Sequence, residues 1–211
     1  MKKLLLSMSV ALITLTSCSK NDDPTPTPVV SETKEASIDA TSKTAWTYFS
    51  LSENKVVATA EESDAENAKW FARADWDIAV CRYKIRTNSG EATTVGSKGG
   101  VYTFDKDTKF EAVTKLSSDI KFTADEKTSH VAMGGKKVTE IKSNVLVVEM
   151  KKTWDETEKE WKTIMPPVYL QTPVYIFRTA DGKNTYKVQF TQYQDENKES
   201  GHVKFYSAHI I

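Results

Sequence analysis

The C-terminal part of the chain reads PVYIFRTADGKNTYKVQFTQY over residues 173–193, and the fold class follows from this segment. Residues 173–179 and 185–193 are rich in β-branched and aromatic side chains, with turn residues between them. An Asp-Gly pair between alternating strands predicts a β-hairpin, because glycine readily adopts the positive φ of a tight turn. A third run at residues 203–210 follows another polar turn, so the three runs predict an antiparallel meander.

Further strand patterns lie upstream of the meander, at residues 44–51, 76–87, 101–104 and 144–150. Residues 76–87 are predicted to form one strand that leaves the core for solvent, because Arg82, Lys84 and Arg86 share one face. Cys81 lies among apolar neighbours, which predicts a buried, inert thiol. A short helix is predicted at residues 61–69, and residues 110–118 are predicted to form either a short helix or an irregular segment. So many short strands predict an all-β domain of packed antiparallel sheets.

The N-terminus resembles the leader of a bacterial lipoprotein. The basic start Met1-Lys2-Lys3 and the apolar run 4–15 are typical of a secretory signal peptide. Leu15-Thr16-Ser17-Cys18 matches a lipobox, so Cys18 is predicted to be lipidated after cleavage. The predicted organisation is a signal peptide at 1–17, the lipidated cysteine with a proline-rich linker at 18–35, and a single β domain at 36–211.

Composition and motifs argue against several functional classes. The chain has 29 basic and 29 acidic residues; removing the two lysines of the signal peptide leaves 27 against 29, a net charge of −2. No basic patch is interleaved with aromatics, so nucleic acid is not an expected partner. The three histidines lack the spacing of zinc motifs, and no nucleophile elbow is present, so the protein is not expected to be an enzyme. With Cys18 lipidated, Cys81 has no disulfide partner.

Two methionines lie in unusual positions between residues 130 and 165. Met133 precedes a Gly-Gly pair and Met165 precedes a Pro-Pro pair, which predicts two loops on either side of a long hairpin. Met150 is predicted to share a core face with Leu146 and Val148. A thioether can bind haem iron, but loop methionines more often fill gaps in a core, so the residues alone favour packing.

The chain resembles the HmuY family, haem-binding lipoproteins of Porphyromonas and related Bacteroidetes. The similar segments are the lipobox, residues 41–49, 76–79 and 173–183, and the closing part from Tyr193 to Tyr206. The resemblance implies an all-β fold of packed antiparallel sheets in which two loop-bearing hairpins clasp one haem. The first ligand loop corresponds to residues 129–135 and the second to residues 163–169.

The resemblance also implies a ligand set. The founding member of the family uses two histidines, one on each hairpin, whereas the second loop of this chain has none, and Met165 is its candidate ligand. The first loop offers His130 or Met133, and the Gly-Gly turn favours Met133. We therefore predict axial ligation of haem b by Met133 and Met165, with His130 as the fallback. Methionine-ligating relatives from Prevotella and Tannerella are the more similar members.

The expected function is capture of haem at the cell surface for uptake through a TonB-dependent outer-membrane receptor, with host haemoproteins as candidate partners. The protein would be anchored in the outer membrane by its lipid alone and exposed on the cell surface. The alternatives are a surface glycan-binding lipoprotein, with Trp154 and Trp161 as sugar-stacking platforms, and an adhesin-like lipoprotein without a small ligand.

Overall fold

The computed structural model describes residues 31–131 and 134–211, with the backbone alone at 150–151 and 163–168. The predicted signal peptide, Cys18 and most of the predicted linker lie outside these residues. The strands are β1 (Lys34–Asp39), β2 (Ala45–Ser50), β3 (Lys55–Glu61), β4 (Ile78–Cys81), β5 (Lys84–Thr87), β6 (Gly100–Thr103), β7 (Glu126–Val131), β8 (Lys137–Lys142), β9 (Val148–Asp155), β10 (Glu160–Leu170), β11 (Tyr175–Arg178), β12 (Thr185–Gln194) and β13 (Ser200–Ile210). The helices are α1 (Asp64–Phe71) and α2 (Gly90–Thr93), with a single 3₁₀ turn at Phe110–Ala112.

The predicted meander forms the centre of a five-stranded antiparallel sheet. This sheet, called sheet A, has the order β1-β13-β12-β11-β6. Alternation along β13 places Val203 and Phe205 on the face that packs against the other sheet, and Ala208 and Ile210 on the opposite face. The all-β fold class and the antiparallel packing of its strands are therefore confirmed.

A second sheet, called sheet B, has the order β3-β2-β4-β5. The prediction of one strand over residues 76–87 was wrong, because β4 and β5 form a hairpin that turns at Arg82, whose φ is 57°. The Arg82 guanidinium donates to the carbonyl of Ser200 at 2.7 Å and so fixes the turn. Arg86 does not reach solvent: it is 5% exposed, pairs with Glu62 and lies 3.8 Å over the ring of Trp46.

The main core lies between the two sheets. Phe49 of sheet B meets Phe205 of sheet A edge to face, with ring centroids 5.2 Å apart. On the outer face of sheet B, α1 brings Trp70 onto Tyr48 in a stacked pair with centroids 4.2 Å apart. Burying such side chains stabilises a fold by roughly 1.5–3 kcal/mol each. Cys81 is buried as predicted, and burial raises the pKa of its thiol.

Two helix predictions had different outcomes. The helix expected at 61–69 is present as α1, which begins after Ser63, whose hydroxyl accepts from the amide of Glu66 at 3.2 Å. In the 110–118 segment the helical conformation is limited to the Phe110–Ala112 turn. Among the described residues, no helix combines the length and the apolar composition that crossing a bilayer requires.

Two hairpins stand apart from the sheets, β7–β8 and β9–β10, and each forms its own two-stranded ribbon. The strand predicted at 144–150 begins only at Val148. The predicted core face was wrong for Leu146, which is 54% exposed, whereas Val145 and Val147 are buried. This linker is irregular, and the hydroxyl of Tyr175, 29 residues further along the chain, binds both backbone groups of Leu146.

Candidate functional site

The first hairpin, β7–β8, carries one predicted ligand loop at its tip. Its register runs from Glu126 opposite Lys142 to Val131 opposite Lys137. Gly134 and Gly135 have φ values of 86° and 76°, a left-handed conformation that side chains disfavour. Apart from the glycine itself and its two neighbours in the chain, no described residue has an atom within 4 Å of the point where a side chain on either glycine would begin. The tip therefore has free space around these glycines.

The second hairpin, β9–β10, carries the other predicted loop in the middle of a strand. The prediction of a separate loop at residues 163–169 was wrong, because these residues belong to β10. The pairing is nevertheless interrupted: Thr163 pairs with Lys152 and Val168 with Met150, so residues 164–167 stand opposite Lys151 alone. Proline has no backbone N–H and cannot donate to a ladder, so the Pro-Pro pair explains this β-bulge.

The structure describes the three predicted ligands to different extents. Met133 lies outside the described residues, and Met165 is described by its backbone, within the bulge. His130 lies on β7 opposite Val138, half-exposed, with Nδ1 3.8 Å from a carboxylate oxygen of Glu140. The fallback ligand is therefore in a regular ladder rather than in the tip. Ligation of haem iron by Met133 and Met165 stays a prediction.

The first hairpin is joined to the core by a buried carboxylate, Asp125, immediately before β7. Its Oδ2 accepts from the backbone amide of Thr87 and its Oδ1 from the Thr87 hydroxyl, both at 2.7 Å. Its own amide donates to the hydroxyl of Ser89 at 2.9 Å. Burial raises the pKa of Asp125 to about 6, although hydrogen bonds from Thr87 and Ser143 oppose that shift.

The second hairpin is joined to sheet A by a buried tyrosine. The Tyr175 hydroxyl accepts from the amide of Leu146 at 3.1 Å and donates to the Leu146 carbonyl at 2.9 Å. Where the hairpin ends, the amide of Gln171 donates to the carbonyl of Val147 at 2.8 Å. Both ends of this hairpin are thus held near the same point on β11. Neither Asp125 nor Tyr175 was identified from the sequence, since their partners are 29 to 38 residues away.

An aromatic pair lies near the tip of the second hairpin. Trp154 and Trp161 are directly opposite in the ladder and are 40% and 66% exposed. Their ring centroids are 5.7 Å apart and their planes meet at 66°, an edge-to-face contact. Such cross-strand aromatic pairs stabilise a hairpin.

His202 and His209 both lie on β13 and contact different groups. His202 Nε2 lies 4.0 Å from a carboxylate oxygen of Asp195 and 3.8 Å from one of Glu199, at the β12–β13 turn. This is the arrangement of a surface ion pair when the histidine is protonated. His209 instead packs on Tyr186, with ring centroids 5.0 Å apart.

These features define a class of protein: an all-β domain whose packed sheets carry two successive hairpins outside the core. The sequence profile described as HmuY protein matches residues 42–206. The chain belongs to the HmuY family. Comparison with curated proteins gives no match.

Solved structures share this fold. An apo HmuY analogue from Tannerella forsythia aligns with a TM-score of 0.54 and 24% identity, over 86% of this chain and 98% of that one. A candidate HmuY-like heme-binding protein from Bacteroides vulgatus aligns with a TM-score of 0.55 and 21% identity, over 83% and 90% of the two chains. A candidate lipoprotein from Bacteroides fragilis aligns with a TM-score of 0.53 and 18% identity, over 83% and 88%.

Proposed function

We propose that this protein binds haem between its two hairpins, with Met133 and Met165 as the axial ligands. The observation that carries the proposal is the interruption of each hairpin next to its methionine: a left-handed Gly-Gly tip in the first and a four-residue bulge in the second. Family membership and the heme-binding name of the Bacteroides vulgatus relative support haem as the cargo.

The bulge is the feature that a regular hairpin would lack. In a continuous ladder each side chain has a fixed direction, either towards one face or the other. A bulge re-aims the local side chains and ends the pairing, and bulges are over-represented next to binding sites. Residues 164–167, which include Met165, have a single residue opposite them, so the backbone of β10 departs from regular pairing at this methionine.

Thioether ligands give the site a redox preference. A methionine sulfur is a soft, neutral ligand that favours the ferrous state of haem iron, whereas two imidazoles favour ferric haem more strongly. We therefore expect tighter binding of haem b under reducing conditions. The protein would carry the haem as cargo and change its affinity with the oxidation state of the iron.

Anchorage and delivery complete the proposed function. Cys18 would carry the lipid that holds the domain at the outer membrane, and the proline-rich linker would separate the domain from the bilayer. The haem would then pass to a TonB-dependent receptor, with host haemoproteins as the source. The name of the Bacteroides fragilis relative supports the lipoprotein part of this proposal.

His130 is the alternative first ligand. It lies three residues before Met133, and Glu140 stands 3.8 Å from its Nδ1, where a carboxylate could orient the ring for ligation through Nε2. Its position in a paired strand and its half-exposed side chain make His130 a poorer candidate than Met133.

The glycan-binding alternative has one supporting observation, the exposed Trp154 and Trp161. Sugar stacking needs an open, flat aromatic face, and these rings meet edge to face at 66°. Their contact with one another accounts for their position. A Trp161→Ala variant should therefore bind haem as the unaltered protein does. Loss of binding to a glycan array in this variant, with haem binding absent in both proteins, would favour the alternative.

The test is a titration of the purified protein with haemin, with and without dithionite, followed by the Soret band. Met133→Ala and Met165→Ala should each weaken haem binding roughly 10- to 100-fold. His130→Ala and Met150→Leu are matched controls and should retain the affinity, since Leu conserves the volume of Met. No Soret shift in either redox state would reject the haem proposal, whereas loss with His130→Ala but not Met133→Ala would reassign the first ligand.

A further inference from the structure

The β7–β8 hairpin has little packing of its own. Every described residue of β7 and β8 is exposed or half-buried, and none belongs to the described core clusters. An isolated two-stranded hairpin is marginally stable in water. The direction in which this hairpin leaves the domain must therefore be set where its two strands join the core.

The entering strand is attached to both sheets within three residues. Thr123 exchanges backbone hydrogen bonds with Val101, a residue of β6 in sheet A, at 2.8 and 2.9 Å. Two residues later, Asp125 binds the end of β5 in sheet B through Thr87 and Ser89. The carboxylate and both of its partners are almost fully buried. Residues 123–125 therefore cross from one sheet to the other before the hairpin begins.

The residue that follows β8 also acts on this carboxylate. The side chain of Ser143, the first residue after β8, opposes the rise in the pKa of Asp125. The carboxylate itself joins the start of the hairpin to β5. A carboxylate suits this role because it accepts several hydrogen bonds at once, and an ionised acceptor forms the stronger ones. The charged group that acts on it from β5 is Arg86, which is itself paired with Glu62.

A second buried carboxylate gives a natural comparison. Asp77 is as deeply buried as Asp125, and its Oδ2 accepts from the amide of Leu51 at 2.7 Å. Its backbone hydrogen bonds join it to Phe49 of β2 and to Asn88, the residue after β5, and among the described residues none of its hydrogen bonds involves either hairpin. The two groups share chemistry and burial but differ in what they connect.

We propose that Asp125 is the positioning residue of the first hairpin: its hydrogen bonds with Thr87 and Ser89 fix the direction in which β7–β8, the hairpin that carries Met133, leaves the core. The effect on haem rests on the proposed function, whereas the effect on the hairpin does not. Asp125 does not touch the cargo; it acts by limiting the orientations of the hairpin, which lowers the ordering cost of closing on a ligand.

Measurement of the distance between two spin labels tests the proposed role of Asp125 directly. Nitroxide labels are placed at Lys137→Cys on β8 and Lys55→Cys on β3, both exposed, in protein carrying Cys18→Ser and Cys81→Ala. Without haem, the unaltered Asp125 should give one narrow distance distribution. Asp125→Ala should broaden it, and Asp125→Asn should restore it, because an amide oxygen still accepts from Thr87. Haem affinity should fall about tenfold in the Ala variant and be largely retained in the Asn variant.

Two further variants separate positioning from general stability. Asp77→Ala should lower the melting temperature but leave the distance distribution narrow. Thr87→Val removes one donor to Asp125 and should broaden the distribution partially, which keeps the test usable if Asp125→Ala does not fold. An unchanged distribution in Asp125→Ala and Thr87→Val, or equal broadening in Asp77→Ala, would overturn the proposal. If unaltered protein bound no haem, the proposed function would fail while the distance result would still decide the role of Asp125.

Discussion

The two hairpins differ in where their pairing is interrupted and in what joins them to the core. The first, β7–β8, has a regular ladder and a glycine tip, and the Asp125 carboxylate attaches it to sheet B. The second, β9–β10, has a bulge in mid-strand, and the neutral Tyr175 hydroxyl attaches it to sheet A. The separation of the two proposed ligands is therefore set by the packing of the sheets, and each hairpin can be perturbed by itself.

The largest expected effect comes from removing the bulge. Deleting residues 165–167 would leave Ile164 opposite Lys151 and Val168 opposite Met150, which is a continuous ladder. The hairpin should then be at least as stable, while haem binding should weaken by roughly 100-fold or more, as for loss of a ligand. Thermal unfolding and the haemin titration check both parts. Retained affinity would show that the second ligand lies outside the bulge.

The next effect is a dependence of stability on pH. It distinguishes the attachment of the first hairpin through the Asp125 carboxylate from that of the second through the neutral Tyr175 hydroxyl. Burial raises the pKa of both Asp125 and Asp77 to about 6, above their ordinary value of 3.8, so the native state binds more protons than the unfolded state. The free energy of unfolding should therefore increase as pH falls from 7 to 5, by roughly 1.4 kcal/mol for each group. This contribution is fully present below the unfolded pKa and is lost as pH rises through 6.

Denaturant unfolding at pH 5 and pH 7 measures this difference. Asp125→Asn and Asp77→Asn should each remove about half of the pH dependence, and Tyr175→Phe should leave it unaltered. An unchanged pH dependence in both Asn variants would show that these carboxyls titrate at their ordinary values.

The most localised expected effect comes from Tyr175→Phe. Loss of the hydroxyl removes two hydrogen bonds to the Leu146 backbone, which should cost about 1–2 kcal/mol of stability. Hydrogen exchange should accelerate in residues 148–170 but not in residues 126–142, because the two hairpins are attached separately. Acceleration in both hairpins would contradict that separation.

The meander and the family were both predicted correctly from the sequence. The meander was predictable because an Asp-Gly turn and alternating apolar residues determine the backbone over a few positions. Prediction from the sequence failed where distant contacts decide the backbone. The β4–β5 turn depends on Arg82 reaching Ser200, and the exposure of Leu146 depends on Tyr175. The Pro-Pro pair correctly indicated an interruption near Met165, but only the register showed it to be a bulge within a strand.

The candidate site shows the same limits. Met133 and Met165 could be identified as candidates because each precedes a Gly-Gly or Pro-Pro pair. Glycine and proline disturb regular strand pairing by their own chemistry. Asp125 could not be recognised, since a single Asp before a strand is common and its partners Thr87 and Ser89 come from another sheet. Attachment of a hairpin is a property of the assembled fold.

Ligation of the haem iron by two sulfur atoms is tested most directly by iron spectroscopy. X-ray absorption at the iron edge of the reduced haem complex should show two sulfur scatterers in addition to the porphyrin nitrogens. Met133→Ala and Met165→Ala should each remove one of them. A complex of the unaltered protein with only nitrogen or oxygen as axial scatterers would contradict the claim, and one sulfur with one nitrogen would place His130 in the first hairpin's ligand position.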